Sequence, residues 1–207
     1  MKDLLSKCVQ ICPGMVLLPG FADSWELAAD LQGVIAQAPL RTMQTARGFA
    51  MSVMNSNCGA VGWISDRGGY RYSATDPETG LAWPAMPESF AAIANAASIE
   101  SGFGAFAPDA CLINRYQPGT QMGAHQDRDE ADFSAPIVSV SLGLDARFFV
   151  LGPERSGPST PVDLTDGDVL VFGGPARKHF HGVRKLKAAE HPQFGAVRWN
   201  LTFRKAM

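Results

Sequence analysis

Histidine is scarce in this 207-residue sequence: there are four, at positions 125, 179, 181 and 191, so any site built on imidazole must draw on them. Cysteine is equally sparse. Cys8, Cys12, Cys58 and Cys111 lack paired C-x-x-C spacing, which argues against a zinc site and a disulfide framework and for reduced thiols in a cytoplasmic protein. Long apolar runs are missing too. The stretch from Val9 to Leu18 is interrupted by Pro13 and Gly14 and is too short to span a bilayer, so neither a membrane segment nor a signal peptide is expected. With a net charge of −2, no global field draws a polyanion. A local one is available, because residues 176–207 carry eight Lys and Arg against the single acid Glu190. The chain has no internal repeat and no low-complexity linker, so one domain over 1–207 and a monomer are expected.

What is present is enough apolar material, 46% of residues, for a sizeable core. Asp23-Ser-Trp-Glu26 reads as a capping box, followed at helical spacing by Leu27, Ala28, Leu31, Val34 and Ile35 up to Pro39. Phe49 to Met54 reads as a strand. Beyond it, Gly59, Gly62, Gly68 and Gly69 surround Trp63, Arg67, Tyr70, Arg71 and Tyr72, a long aromatic and basic loop that either covers a core edge or offers a stacking platform for a base. A second helix follows Pro87, with Phe90, Ile93, Ala94 and Ala97 on one face. From Ala110 the period becomes that of strands: Ala110 to Tyr116, Val138 to Leu144, Asp145 to Leu151, and Val162 to Phe172 with a tight turn at Asp166-Gly167. Val138 to Leu144 alternates apolar with small residues, which leaves room on one face. Two helices followed by many short strands predict an α+β protein with an antiparallel double-sheet, jelly-roll core.

Met122 to Glu130 is the stretch on which the chemistry turns. His125 and Asp127 supply two thirds of a 2-His-1-carboxylate set, which leaves part of an octahedron open and suits non-haem Fe(II). Chance alone supplies roughly 0.4 His-x-acid pairs in a chain of this composition, so the pair needs support from elsewhere. A third ligand must come from His179, His181 or His191. The last precedes Pro192 in a loop, and the first two share one face if their segment is extended, so alternation does not choose between them. Independent support comes from the final strand, Val197 to Arg204. It sends Val197, Trp199, Leu201 and Phe203 to one side and Arg198, Asn200, Thr202 and Arg204 to the other. Two arginines roughly 20 Å apart along a strand can reach the two ends of a dicarboxylate such as 2-oxoglutarate through paired, charge-assisted hydrogen bonds.

Five ordered stretches together resemble the AlkB-type dioxygenases: Leu112 to Tyr116 followed by Pro118-Gly119, His125 to Glu130, Pro136 to Leu144, Phe180-His-Gly182, and Arg198 to Arg204. The resemblance runs from about Met15 to Lys205 and includes Pro84 to Phe90, which places it close to the bacterial alkylation-repair members. It implies a double-stranded β-helix over about 110–205, a nucleotide-recognition lid over about 45–80, and His125, Asp127 and His181 around Fe(II). It also implies that Arg198 and Tyr116 hold the distal carboxylate of 2-oxoglutarate while Asn114, Asn200 and Arg204 fix its chelating end. For substrate it implies an N-methylated base of the 1-methyladenine or 3-methylcytosine type, in single- or double-stranded DNA with RNA as a further candidate. The base would leave its stack and be gripped between Trp63 and His125, with Asp129 reading its charge, Tyr70 and Tyr72 lining the lid, and Arg155 at the lesion. With O2 as co-substrate, hydroxylation of the methyl group releases formaldehyde. Phe172, Trp199 and the lid residues Asp66, Gly68 and Gly69 depart from the family motifs or lie outside them, and they bear on lesion preference. Two other readings remain at this stage. One is a 2-oxoglutarate dioxygenase acting on RNA, protein or a small molecule, and the other is an inactive nucleic-acid-binding jelly roll.

Overall fold

A computed structural model describes residues 8–207. In chain order the elements are β1 (Val9–Cys12), β2 (Met15–Leu18), α1 (Ser24–Gln37), β3 (Met54–Gly59), β4 (Gly62–Asp66), β5 (Gly69–Ser73) and α2 (Glu88–Glu100). Then follow β6 (Ala110–Tyr116), β7 (Met122–His125), β8 (Ile137–Gly143), β9 (Ala146–Gly152), β10 (Thr160–Leu164), β11 (Val169–Phe172), β12 (Phe180–Val183) and β13 (Arg198–Arg204). A seven-stranded sheet runs β1-β2-β11-β8-β13-β6-β3, and a four-stranded sheet, β10-β9-β12-β7, faces it to complete the jelly roll. Every pairing is antiparallel. Among the described residues no helix is long and apolar enough to cross a membrane.

The period of two on each strand sorts side chains into two cores. Trp199, Leu201 and Phe203 of β13, with Val138 and Val140 of β8 and Val169 and Val171 of β11, pack under the helices against Leu27, Leu31, Phe90 and Ala94. Their neighbours Ile137, Leu170, Phe172 and Tyr116 point between the sheets and meet Phe148, Val150 and Val162. Helix α1 begins where expected, with the Asp23 carboxylate accepting from Trp25 N at 2.9 Å, and Phe90, Ala94 and Ala97 of α2 are buried.

Four local expectations change. The strand does not lie at Phe49–Met54 but at Met54–Gly59; Phe49 is 69% exposed, and only an isolated bridge joins Ala50 to Gln44. Its Asn-Ser-Asn centre carries no apolar alternation because its buried side chains are held by hydrogen bonds, as when Ser56 Oγ donates to Ala38 O at 2.5 Å. The aromatic stretch beyond it is a hairpin, β4–β5, and not a loop. The Asp166-Gly167 turn carries the chain from one sheet to the other instead of closing a hairpin, since β10 pairs with β9 and β11 with β8 and β2. His179 lies outside β12, so the two histidines do not share a strand face.

Candidate active site

The two sheets enclose a cavity of about 550 Å³, lined by residues of β3 to β13 and by the hairpin. His125, the last residue of β7, is the register partner of His181 in β12. Cross-strand pairing sets the imidazoles side by side, with ring centroids 4.4 Å apart. Asp127 follows two residues after the strand ends, and the ligand atoms of His125, Asp127 and His181 lie within 4.8 Å of one another. Both rings are oriented by the backbone: His125 Nδ1 lies 3.0 Å from Gly123 O and His181 Nδ1 2.9 Å from His179 O. A carbonyl only accepts, so each Nδ1 carries a proton and each Nε2 is left toward Asp127, 3.8 Å from its nearer oxygen.

Electrostatics keep Asp127 and His181 deprotonated. Burial alone would raise the Asp127 carboxyl, but Arg204, with Nη2 3.0 Å from Oδ2, and the two imidazoles outweigh it and hold it well below the usual carboxylate range. Burial pushes His181 down to about 4, with His125 adding to the effect and Asp127 opposing it. At neutral pH Asp127 is a carboxylate and His181 a neutral imidazole, and with His125 beside them the donor set fits a borderline divalent ion with open positions. The environment of His181 is otherwise aromatic, Phe148 at 5.4 Å and Phe172 at 5.2 Å.

Arg198 occupies the other end of the cavity floor at 1% exposure. Its Nη2 donates to Ser141 Oγ at 2.9 Å and its guanidinium lies over the Tyr116 ring at 5.3 Å, while Nε and Nη1 have no partner. β13 is an interior strand, flanked by β8 and β6, so this is no surface arginine. A buried cation with unused donors and no carboxylate beside it among the described residues is suited to bind an anion. The distal carboxylate of 2-oxoglutarate fits it. Between Arg198 and the His-Asp-His set lie Asn114 and Asn200, hydrogen-bonded to each other at 3.2 Å.

At the mouth, Trp63 of β4 stacks on Tyr70 of β5 with centroids 5.6 Å apart and planes 10° from parallel. Its indole N–H donates to Asp129 Oδ2 at 2.8 Å, which joins the hairpin to the segment that carries Asp127. Asn57 fixes the same residue from below by bonding both the Trp63 N–H and its carbonyl at 3.0 Å. Arg155 lines the mouth on an exposed loop. Tyr72 behaves differently from Tyr70. Its hydroxyl donates to Glu130 Oε1 at 2.8 Å, and burial raises its pKa far above the ordinary phenol value.

Glu130 and Arg177 were not singled out by sequence as site residues, yet they form the inner frame. Glu130 lies 3.3 Å from Arg204 Nε and 3.1 Å from Arg177 Nη2, and Arg177 Nη1 donates to Asp127 O at 2.9 Å. Asn55 and Ser141 were also passed over. Only the small residues of β8 hinted at them, by leaving a face with room.

Comparison with known proteins agrees with this geometry. The model of the 2OG-Fe(II) oxygenase superfamily matches residues 14–204. The chain is 49% identical over 198 residues to the alpha-ketoglutarate-dependent dioxygenase AlkB of Salmonella typhimurium, covering 95% of this chain and 92% of that one. It is 34% identical over 162 residues to the DNA N(6)-methyladenine demethylase ALKBH1C of Arabidopsis thaliana, covering 65% of this chain and 35% of that one. The solved structure of OsALKBH1 superposes with a TM-score of 0.85 at 30% identity, covering 96% of this chain and 99% of that one.

Proposed function

We propose that this chain, which belongs to the 2OG-Fe(II) oxygenase superfamily, oxidatively demethylates N-methylated bases in nucleic acid. Fe(II), 2-oxoglutarate and O2 are the cofactor and co-substrates of its family, and together they supply hydroxylation of a C–H bond coupled to loss of CO2 and release of succinate. The roles that follow are assigned on that basis. His125, Asp127 and His181 hold the metal. Arg198 and Tyr116 take the distal carboxylate of 2-oxoglutarate, while Asn114, Asn200 and Arg204 frame its chelating end. The hairpin β4–β5, within the segment of about 45–80, serves as the lid over the base.

The observation that carries the substrate assignment is Trp63 held by Asp129 at the mouth of the same cavity. A base methylated on a ring nitrogen is cationic near neutral pH, and an aromatic face backed by a carboxylate suits a flat cation. Tyr70 covers one face of Trp63, so the base takes the other, toward His125, with Arg155 at its edge. Such a base must leave its stack to reach the metal, so single strands, which need no unpairing, are turned over faster than duplex. DNA is the favoured carrier, in keeping with the named activity of the Arabidopsis relative. The hydroxylated methyl group then collapses to formaldehyde and the restored base, with the protein contributing alignment and a dry site. The working unit is a monomer, since one chain supplies every group named.

The assignment is tested by offering 1-methyladenine in single-stranded DNA, duplex DNA and RNA, alongside an N-methylated peptide, and following methyl loss by mass spectrometry. Methyl loss from the oligonucleotides, fastest on single-stranded DNA, is expected. Loss from the peptide alone would refute a nucleobase substrate.

A further inference from the structure

The floor of the cavity carries a row of carboxamides whose hydrogen bonds all run one way. Asn55, Asn114 and Asn200 are register neighbours on β3, β6 and β13, with exposures of 2%, 3% and 8%. The direction is set at one end. Asn200 Nδ2 donates to Val140 O at 3.1 Å and to Ser139 Oγ at 2.8 Å. Because a backbone carbonyl only accepts, that terminal atom must be the nitrogen, which makes the other the oxygen. Asn200 Oδ1 accepts from Asn114 Nδ2 at 3.2 Å and from Thr202 Oγ1 at 2.9 Å. The Asn114 oxygen is thereby turned to Asn55, whose Nδ2 donates to it at 2.7 Å.

Counting donors and acceptors along this row separates the three residues. Asn200 uses both N–H groups and both lone pairs within the row, which fixes its orientation. Asn114 keeps one N–H. Asn55 gives a donor to Asn114 and leaves its own Oδ1 buried without a partner. A carboxylate placed between Arg198 and the His-Asp-His set needs donors, and a reversed Asn114 would present an oxygen to it. Of the two bonds that prevent reversal, the one from Asn55 is the shorter.

We infer that Asn55 is a positioning residue for co-substrate binding, which locks the Asn114 carboxamide with its spare N–H available to the chelating end of 2-oxoglutarate. This rests on the assignment of Asn114 as a co-substrate contact made above. Asn55 acts through Asn114, to which its Nδ2 donates at 2.7 Å. Its orphaned Oδ1 is consistent with a residue kept for its donor.

The test is calorimetric titration of 2-oxoglutarate into Mn(II)-loaded protein without O2, together with the Mn(II) affinity and the melting temperature, for Asn55→Leu and Asn114→Leu. Leucine keeps the volume, removes the orphaned acceptor and removes the donor. The expected result is a Kd for 2-oxoglutarate raised about tenfold in Asn55→Leu, the size of one hydrogen bond, with Mn(II) affinity unchanged. Should Asn55→Leu not fold, Asn55→Ser, whose hydroxyl stops short of Asn114, is expected to give the same split. Wild-type binding of 2-oxoglutarate by Asn55→Leu beside weakened binding by Asn114→Leu would overturn the positioning role. Wild-type binding by both would remove the assignment of Asn114 and the inference with it. A matching fall in Mn(II) affinity would make Asn55 merely structural and overturn the inference as well.

Discussion

Replacing Arg198 with methionine should move stability and co-substrate affinity in opposite directions. In the ligand-free protein the guanidinium is 1% exposed, has one hydrogen bond, to Ser141, and leaves Nε and Nη1 unpaired. Burial lowers its pKa, and Tyr116 restores part of the loss. Exchanging buried charge for apolar volume gains on the order of 1–4 kcal/mol. Loss of the Ser141 bond and of the stacking on Tyr116 subtracts about 1–2 kcal/mol. The midpoints of these two ranges leave a net gain of about 1 kcal/mol, a melting temperature about 2–4 °C higher for a chain of this size. Affinity goes the other way. Losing a charge-assisted contact of about 1.5–3 kcal/mol raises the Kd for 2-oxoglutarate by about 10- to 150-fold. Scanning calorimetry of Mn(II)-loaded protein reads both quantities. At 100 times its own Kd, 2-oxoglutarate should stabilise the wild type by about 2.7 kcal/mol, and at that same concentration it should stabilise Arg198→Met by roughly 0.3–1.4 kcal/mol. A variant that melts well below the wild type without ligand, or that shows the full ligand shift, would refute the view of Arg198 as a cation awaiting its carboxylate.

Two further outcomes follow from the geometry. The folded state holds His181 near pKa 4, below the ordinary 6.5, so the metal-free protein should be fully stable above about pH 6.5 and lose stability as pH falls toward 4, where unfolding takes up a proton that folding excludes. The depressed Asp127 carboxyl acts in the same direction at still lower pH, and urea midpoints measured from pH 7 to pH 4 should fall steadily, with no fall counting against a buried neutral His181. At Gly182, an added Cβ would lie 2.6 Å from Met122 O and 2.7 Å from the Phe149 ring, so Gly182→Ala should push β12 away from β7, disturb the His181–His125 register and weaken Mn(II) binding at least tenfold in a calorimetric titration. Unchanged Mn(II) affinity would show that the register tolerates the strain.

Much of this site was legible because its strands obey a period of two. β13 announces itself by placing Trp199, Leu201 and Phe203 opposite Arg198, Asn200, Thr202 and Arg204, and the structure puts the first set under the helices and the second over the cavity. What alternation does not carry is partnership. It left His179 and His181 equivalent, whereas in the structure β12 starts at Phe180, after His179, and its register sets His181 opposite His125. β3 was misplaced for a related reason: Asn55 and Ser56 are buried while donating to Asn114 and Ala38, and Asn57 is buried while accepting from Trp63 N–H, and no apolar alternation records those partners. The turn at Asp166-Gly167 was visible as a turn, but whether the chain stays in one sheet or crosses to the next depends on which strands lie free to pair.

A mass balance under single turnover shows whether oxidation of 2-oxoglutarate and removal of the methyl group are one reaction. Protein loaded anaerobically with Fe(II) and 2-oxoglutarate is mixed with single-stranded DNA bearing one 1-methyladenine and exposed to O2, and succinate, formaldehyde and restored adenine are counted. The account predicts that the three appear in equal amounts and that all vanish in His125→Ala. Succinate formed while every methyl group stays on the DNA would contradict it.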